Sequence, residues 1–110
     1  MFPNEFSSNT DQAAASRARP FSPLLPLGQV VATRGVVALL NQHLIGPASY
    51  LSRHARGDWG LVPDEDAKAN DLAVQSGARI LSAYDIAGAR VWIITEADRS
   101  VTTLLLPEEY

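Results

Sequence analysis

The period of the apolar pattern changes near residue 79, and this change constrains the fold more than any other feature of the chain. Downstream of it, residues 79–86, 90–95 and 100–106 read as three strands. Ala87-Gly88-Ala89 and the turn around Ala97-Asp98 separate them. Strands joined by turns this short pair antiparallel, which predicts a three-stranded meander. Trp92-Ile93-Ile94 and Leu104-Leu105-Leu106 are apolar at consecutive positions, so the middle and last strands are expected to have cover on both faces, at least in part. Helices would supply one cover. An N-terminal strand, the N-terminal arm or a second subunit would supply the other.

Upstream of residue 79 the chain reads as one short strand and three short helices. Gln29-Val30-Val31-Ala32 has strand-like content after a turn bracketed by Pro26 and Gly28. Thr33 stands as a helix N-cap, and Val36, Val37, Leu40 and Leu44 follow at helical spacing. Gly46-Pro47 ends that helix and presets a second over about 47–56, with Leu51 and Ala55 inward and Gly57 as a left-handed cap. Pro63-Asp64-Glu65-Asp66 opens the third, where carboxylates favour the positive end of the helix dipole. Its inward stripe is read as Ala69, Leu72, Ala73 and Ser76, ending at Gly77. The expected fold is α+β, with a short N-terminal strand and three short helices followed by a three-stranded antiparallel meander. Residues 24–110 form the single domain. Residues 1–23 hold three prolines and no sustained apolar period, and are read as a disordered arm.

Composition removes several chemistries. The absence of cysteine excludes thiolate nucleophiles, disulfides, Cys-based zinc sites and iron–sulfur clusters. The two histidines and scattered carboxylates show no metal-ligand spacing, so no metal and no cofactor is expected. There is no Gly-rich phosphate loop, nucleophile elbow or paired-His zinc motif. No apolar run approaches the roughly 18 to 20 residues of a membrane span, and no signal-peptide profile opens the chain, which points to a cytoplasmic protein with no membrane contact. The formal charge of −3 argues against a surface built on phosphate neutralisation. Residues 1–60 carry five basic and three acidic groups, whereas residues 61–110 carry four basic and nine acidic.

Three groupings are candidates for function. Arg53-His54-Ala55-Arg56-Gly57-Asp58-Trp59 collects an imidazole, two guanidiniums, a carboxylate and an indole at a helix end. Either it serves the fold, with cations at the helix C-terminus and Trp59 in the core, or His54 acts as a general acid or base beside phosphate-binding arginines. Asp64, Glu65 and Asp66 are either a solvated helix start or part of a DNA-like acidic surface that occupies a nucleic-acid-binding groove on another protein. Thr95-Glu96-Ala97-Asp98-Arg99-Ser100-Val101-Thr102-Thr103 sets two acids, one arginine and four hydroxyls around a hairpin turn, where such residues favour local bonding. Function there would need Glu96, Arg99 and Thr102 to converge with His54. Trp59 and Trp92 are the expected core anchors.

The chain also resembles a family. The residues that carry the likeness are Leu27-Gly28-Gln29-Val30-Val31-Ala32-Thr33, Arg53-His54 with Gly57-Asp58-Trp59-Gly60, Glu65-Asp66 with Asn70, Arg79 with Leu81-Ser82-Ala83-Tyr84, and the segment from Trp92 to Ser100 continuing through Pro107-Glu108-Glu109-Tyr110. It is similar there to the small plasmid-related proteins of bacteria and their mobile elements, often labelled a type I restriction subunit M. A methyltransferase subunit needs a cofactor-binding sheet and an Asn-Pro-Pro-aromatic motif, and the chain has neither the length nor that motif. What the resemblance implies is a setting in mobile DNA and host defence.

Two functional classes follow. The first is a non-enzymatic accessory protein of a mobile genetic element that binds a host defence or regulatory protein. Its contact residues are expected among Arg53, Asp58, Trp59, Asp64, Glu65, Asp66, Asp98, Arg99 and Thr102. The second is a metal-independent ribonuclease of RelE-like or barnase-like layout, with His54, Arg79 and Glu96 serving proton transfer and phosphate binding. The acidic charge favours the binder. A protein partner is expected, while nucleic acid and a homodimer stay open.

Overall fold

A computed structural model describes residues 23–110. The arm read over residues 1–23 therefore lies, but for its last residue, outside the described residues. In chain order the elements are β1 (Gln29–Ala32), α1 (Arg34–His43), α2 (Ala48–Ala55), α3 (Asp64–Ser76), β2 (Ile80–Ile86), β3 (Ala89–Thr95), β4 (Val101–Leu105) and a final 3₁₀ turn (Pro107–Glu109). The α+β class holds, and the sheet differs from the expected meander. It has four strands in the order β1-β4-β3-β2, with β1 parallel to β4 and the other pairs antiparallel. β1 covers neither face, because it lies in the plane of the sheet as an edge strand. The long connection through three helices gives the chain room to return to the same end of the sheet, as parallel pairing requires.

Local chemistry explains the hairpin. Ala87 and Gly88 have φ of 51° and 82°, the two positive values that a two-residue turn needs to match strand twist, and Ile86 pairs with Ala89 across it. Alternation along the strands then divides the side chains. One face carries Tyr84, Ile86, Val91, Ile93 and Leu104, which pack with Val36 and Leu40 of α1. A second cluster joins Leu25, Trp59, Ala73 of α3 and Ile80. The opposite face bears Leu81, Trp92 and Thr103, each half-buried, together with buried Ile94 and Leu105.

α2 turns Leu51 and Ala55 inward as its spacing predicts, whereas α1 and α3 depart from the expected faces. Leu44 is the left-handed C-cap of α1 and is 93% exposed, so Leu39 and Ile45 take the inward role beside Val36 and Leu40. Leu72 is 70% exposed, and α3 turns Ala67, Asn70, Ala73 and Val74 inward instead. Asn70 sets this rotation. Its Nδ2 donates to the Leu81 carbonyl at 2.8 Å and its Oδ1 accepts the Leu81 N–H at 3.3 Å, which closes part of the β2 edge. Residues 59–61 close more of that edge: Ala83 N–H donates to the Trp59 carbonyl at 3.1 Å and Leu61 N–H to the Ala83 carbonyl at 2.7 Å. Gly60 lies between them at φ 73°, and a Cβ there would stand 2.0 Å from the Ala83 oxygen.

Thr33 occupies the N-cap of α1 but makes no side-chain cap bond to the helix. Its hydroxyl donates to Glu109 from the final turn, and the same carboxylate accepts the Gly35 and Leu106 N–H groups, each at 2.9 Å. The negative group at the start of α1 thus comes from the far end of the chain.

Candidate functional site

His54 on α2 is wholly buried, and both ring nitrogens are engaged. Nδ1 lies 2.6 Å from the Ser82 hydroxyl and Nε2 2.8 Å from the Thr95 hydroxyl. Thr95 meets the Thr102 hydroxyl at 2.7 Å, and Thr102 donates to the Leu27 carbonyl at 2.7 Å. For a neutral ring, only one placement of protons satisfies every contact. Because the Thr102 proton is committed to Leu27, Thr95 must donate to Thr102 and accept from His54 Nε2–H. Nδ1 is then the acceptor of the Ser82 proton. Burial, aided by the Arg99 cation, lowers the His54 pKa from 6.5 to about 4, so the ring is neutral at ordinary pH. It ties α2 to β2, β3 and β4.

This geometry separates the residues expected to act together. Arg79 and Glu96 flank Ile80 and Thr95, which pair across β2 and β3. Strand alternation therefore turns them away from the His54 face. They lie near each other, with Arg79 Nε 3.6 Å from Glu96 Oε1, and Arg79 also donates to the Tyr110 hydroxyl at 2.9 Å. Thr102 does reach the His54 network, through Thr95. Arg99 instead braces the backbone. At φ 62° it donates to the carbonyls of Ala73 (2.8 Å), Ala78 (2.7 Å) and Glu96 (3.2 Å), binding the hairpin turn to the end of α3. Asp98 caps its own turn by accepting from the Ser100 N–H and hydroxyl.

Around the end of α2, Arg53 forms an exposed ion pair with Asp58 at 2.7 Å and stacks over the Tyr84 ring at 4.6 Å. Burial pushes the Tyr84 hydroxyl up to about 12, and it donates to the Asp58 carbonyl. Trp59 is a core residue, as expected, with its indole N–H on Asp71 at 2.9 Å. Trp92 is not the second anchor. It is half-buried on the open face, edge-on to Tyr110 with ring centres 5.7 Å apart.

That open face is concave among the described residues. Two adjoining hollows of about 270 and 320 Å³ share Asp66 and Leu81. The first is lined also by Asn70 and Arg79, the second by Leu61, Pro63, Arg90 and Trp92. Asp66 lines both hollows, and Asp64 and Glu65 precede it in the first turn of α3; all three are exposed, with no ion pair among the described residues. Among the described residues no cluster of His, Asp or Glu is arranged to hold a metal, and no helix is long and apolar enough to cross a membrane.

Sequence reasoning gave no site role to Asn70, Ser82, Arg90 and Glu109, and counted Thr95 only among the hydroxyls around the hairpin turn. A signal was present for two of them: Ser82 and Thr95 put hydroxyls at inward positions of otherwise apolar strands, which calls for a buried polar partner. Comparison of the chain with protein-family models, curated proteins and solved structures finds no match.

Proposed function

We propose that this protein works by binding a protein partner and not by catalysis. The observation that carries the reading is the position of His54, the histidine that its sequence neighbourhood of two arginines made the candidate for proton transfer near neutral pH. A buried ring with both nitrogens committed to hydroxyls offers no lone pair and no proton to a substrate. The open groove has the opposite character. It combines an apolar floor at Leu61, Leu81 and Trp92 with Asp66 and, beside it in the first turn of α3, exposed Asp64 and Glu65, none of them in an ion pair among the described residues. Such a surface suits a basic segment that inserts an apolar anchor. On the family resemblance, the setting is a bacterial mobile element and the partner a host defence or regulatory protein.

The test is capture of partners from the native host by the parent, by the triple reversal Asp64→Lys, Glu65→Lys, Asp66→Lys, and by Trp92→Ala. A protein retained by the parent and lost by both variants supports the reading. Its retention by both removes the groove as the contact surface. Incubation with RNA, without metal, is the companion assay: cleavage that vanishes in His54→Gln would replace the binding reading with the ribonuclease.

A further inference from the structure

We propose that β1 is a self-association edge, on which a second copy of this chain adds its own β1 antiparallel across a two-fold axis to make one continuous eight-stranded sheet. The proposal stands apart from the groove and its partner. Its basis is a difference between the two edges of the sheet. The β2 edge is closed at Leu81 by Asn70 and at Ala83 by residues 59–61. On β1, Gln29 N–H donates to Ser100 at 2.9 Å and, just beyond it, Thr33 N–H to Leu104 at 3.0 Å. Residues 29, 31 and 33 therefore face β4, and alternation turns the N–H and C=O groups of Val30 and Ala32 outward. All four residues of the strand are exposed, Val30 by 42% and Val31 by 38%. None of the usual guards of a free edge is present in Gln29–Ala32: no lysine, no proline and no charge.

Self-pairing fits this edge in detail. With the axis at Val31, Val30 of one copy meets Ala32 of the other, and the outward groups of both strands pair in a ladder. The ends of the edge are also complementary. Gly28 abuts the backbone of Arg99 and Ser100, so the Asp98 turn stands at the start of β1. Arg34 follows its end and has no ion pair among the described residues. Antiparallel pairing brings these unlike ends together twice. Residues 1–22 are a poorer occupant, because their sequence has one β-branched residue, Thr10, and includes Pro3 and Pro20.

The test is sedimentation velocity on the full chain over roughly 1 to 300 μM, with amide hydrogen exchange at both ends of that range. A mass of two chains at high concentration is expected, with the Val30 and Ala32 amides gaining protection as it forms. Val30→Pro removes a donor that faces outward, and Val30→Lys places a cation on the edge. Each should weaken association at least about 10-fold while near-ultraviolet dichroism shows the parent fold. A single-chain mass over the whole range overturns the proposal. So does a dimer that both variants leave unchanged, which would lie on another surface. Protection of Val30 and Ala32 in the single chain overturns it too, since the edge would then be filled from within.

Discussion

Lowering the pH from 7 to 5 is expected to remove about 2 kcal/mol of folding free energy, and one side chain accounts for the loss. His54 has its ordinary basicity when unfolded, near pH 6.5, and a value of about 4 in the folded core. Between those values the unfolded chain binds a proton that the folded chain refuses, so stability falls as pH falls. It is present in full above about pH 6.5, declines by up to about 1.4 kcal/mol per pH unit through the window, and levels off below about 4 at a total loss of about 3 kcal/mol. Against the 5 to 15 kcal/mol typical of a small domain, the change is easily measured. Asp58, Asp98 and Glu109 are held below their ordinary carboxylate range by Arg53, Ser100 and Thr33 respectively, so their losses fall at the acid end of the window or beyond it. Urea unfolding followed by tryptophan fluorescence is a suitable assay, because Trp59 lies edge-on to the imidazole with ring centres 5.9 Å apart. His54→Gln should be less stable at pH 7 and nearly flat from pH 6.5 to 5. If parent and variant lose equal stability over that interval, or if His54 in the folded protein titrates near 6.5 by NMR, the reasoning is refuted.

Asn70→Ala should cost about 1 to 3 kcal/mol in urea unfolding, since it leaves the Leu81 N–H and C=O without their partner, and the Leu81 amide should exchange faster. Gly60→Ala forces a Cβ against the Ala83 oxygen at a left-handed backbone position, so a loss of at least about 2 kcal/mol is expected; a variant that melts with the parent would show that the bridge to β2 is dispensable. Trp92→Ala should cost only about 1 to 2 kcal/mol, less than the roughly 3 to 5 of a buried tryptophan, because the ring packs on an open face. A larger loss would return Trp92 to the core.

The order of elements was legible in the sequence because the signals that encode it are local. Gly57 and Gly77 end their helices at φ 88° and 80°, and Ala87-Gly88 turns the hairpin, each through backbone geometry that neighbouring residues share. Apolar period located three helices and four strands to within a residue or two. The sequence by itself also settled that no thiol chemistry is available. What it left open depends on pairs far apart in the chain. The place of β1 beside β4 joins residues about 72 apart, and no local pattern distinguishes that edge from cover over a face. The rotation of α3 places Asn70 on Leu81 and leaves Leu72 exposed, a contact between two elements that helical spacing alone does not reveal. The meaning of His54 was likewise decided only by tertiary structure. An imidazole beside two arginines has the same sequence whether it faces solvent or core, and three hydroxyls from three strands, converging beneath α2, made it a structural group.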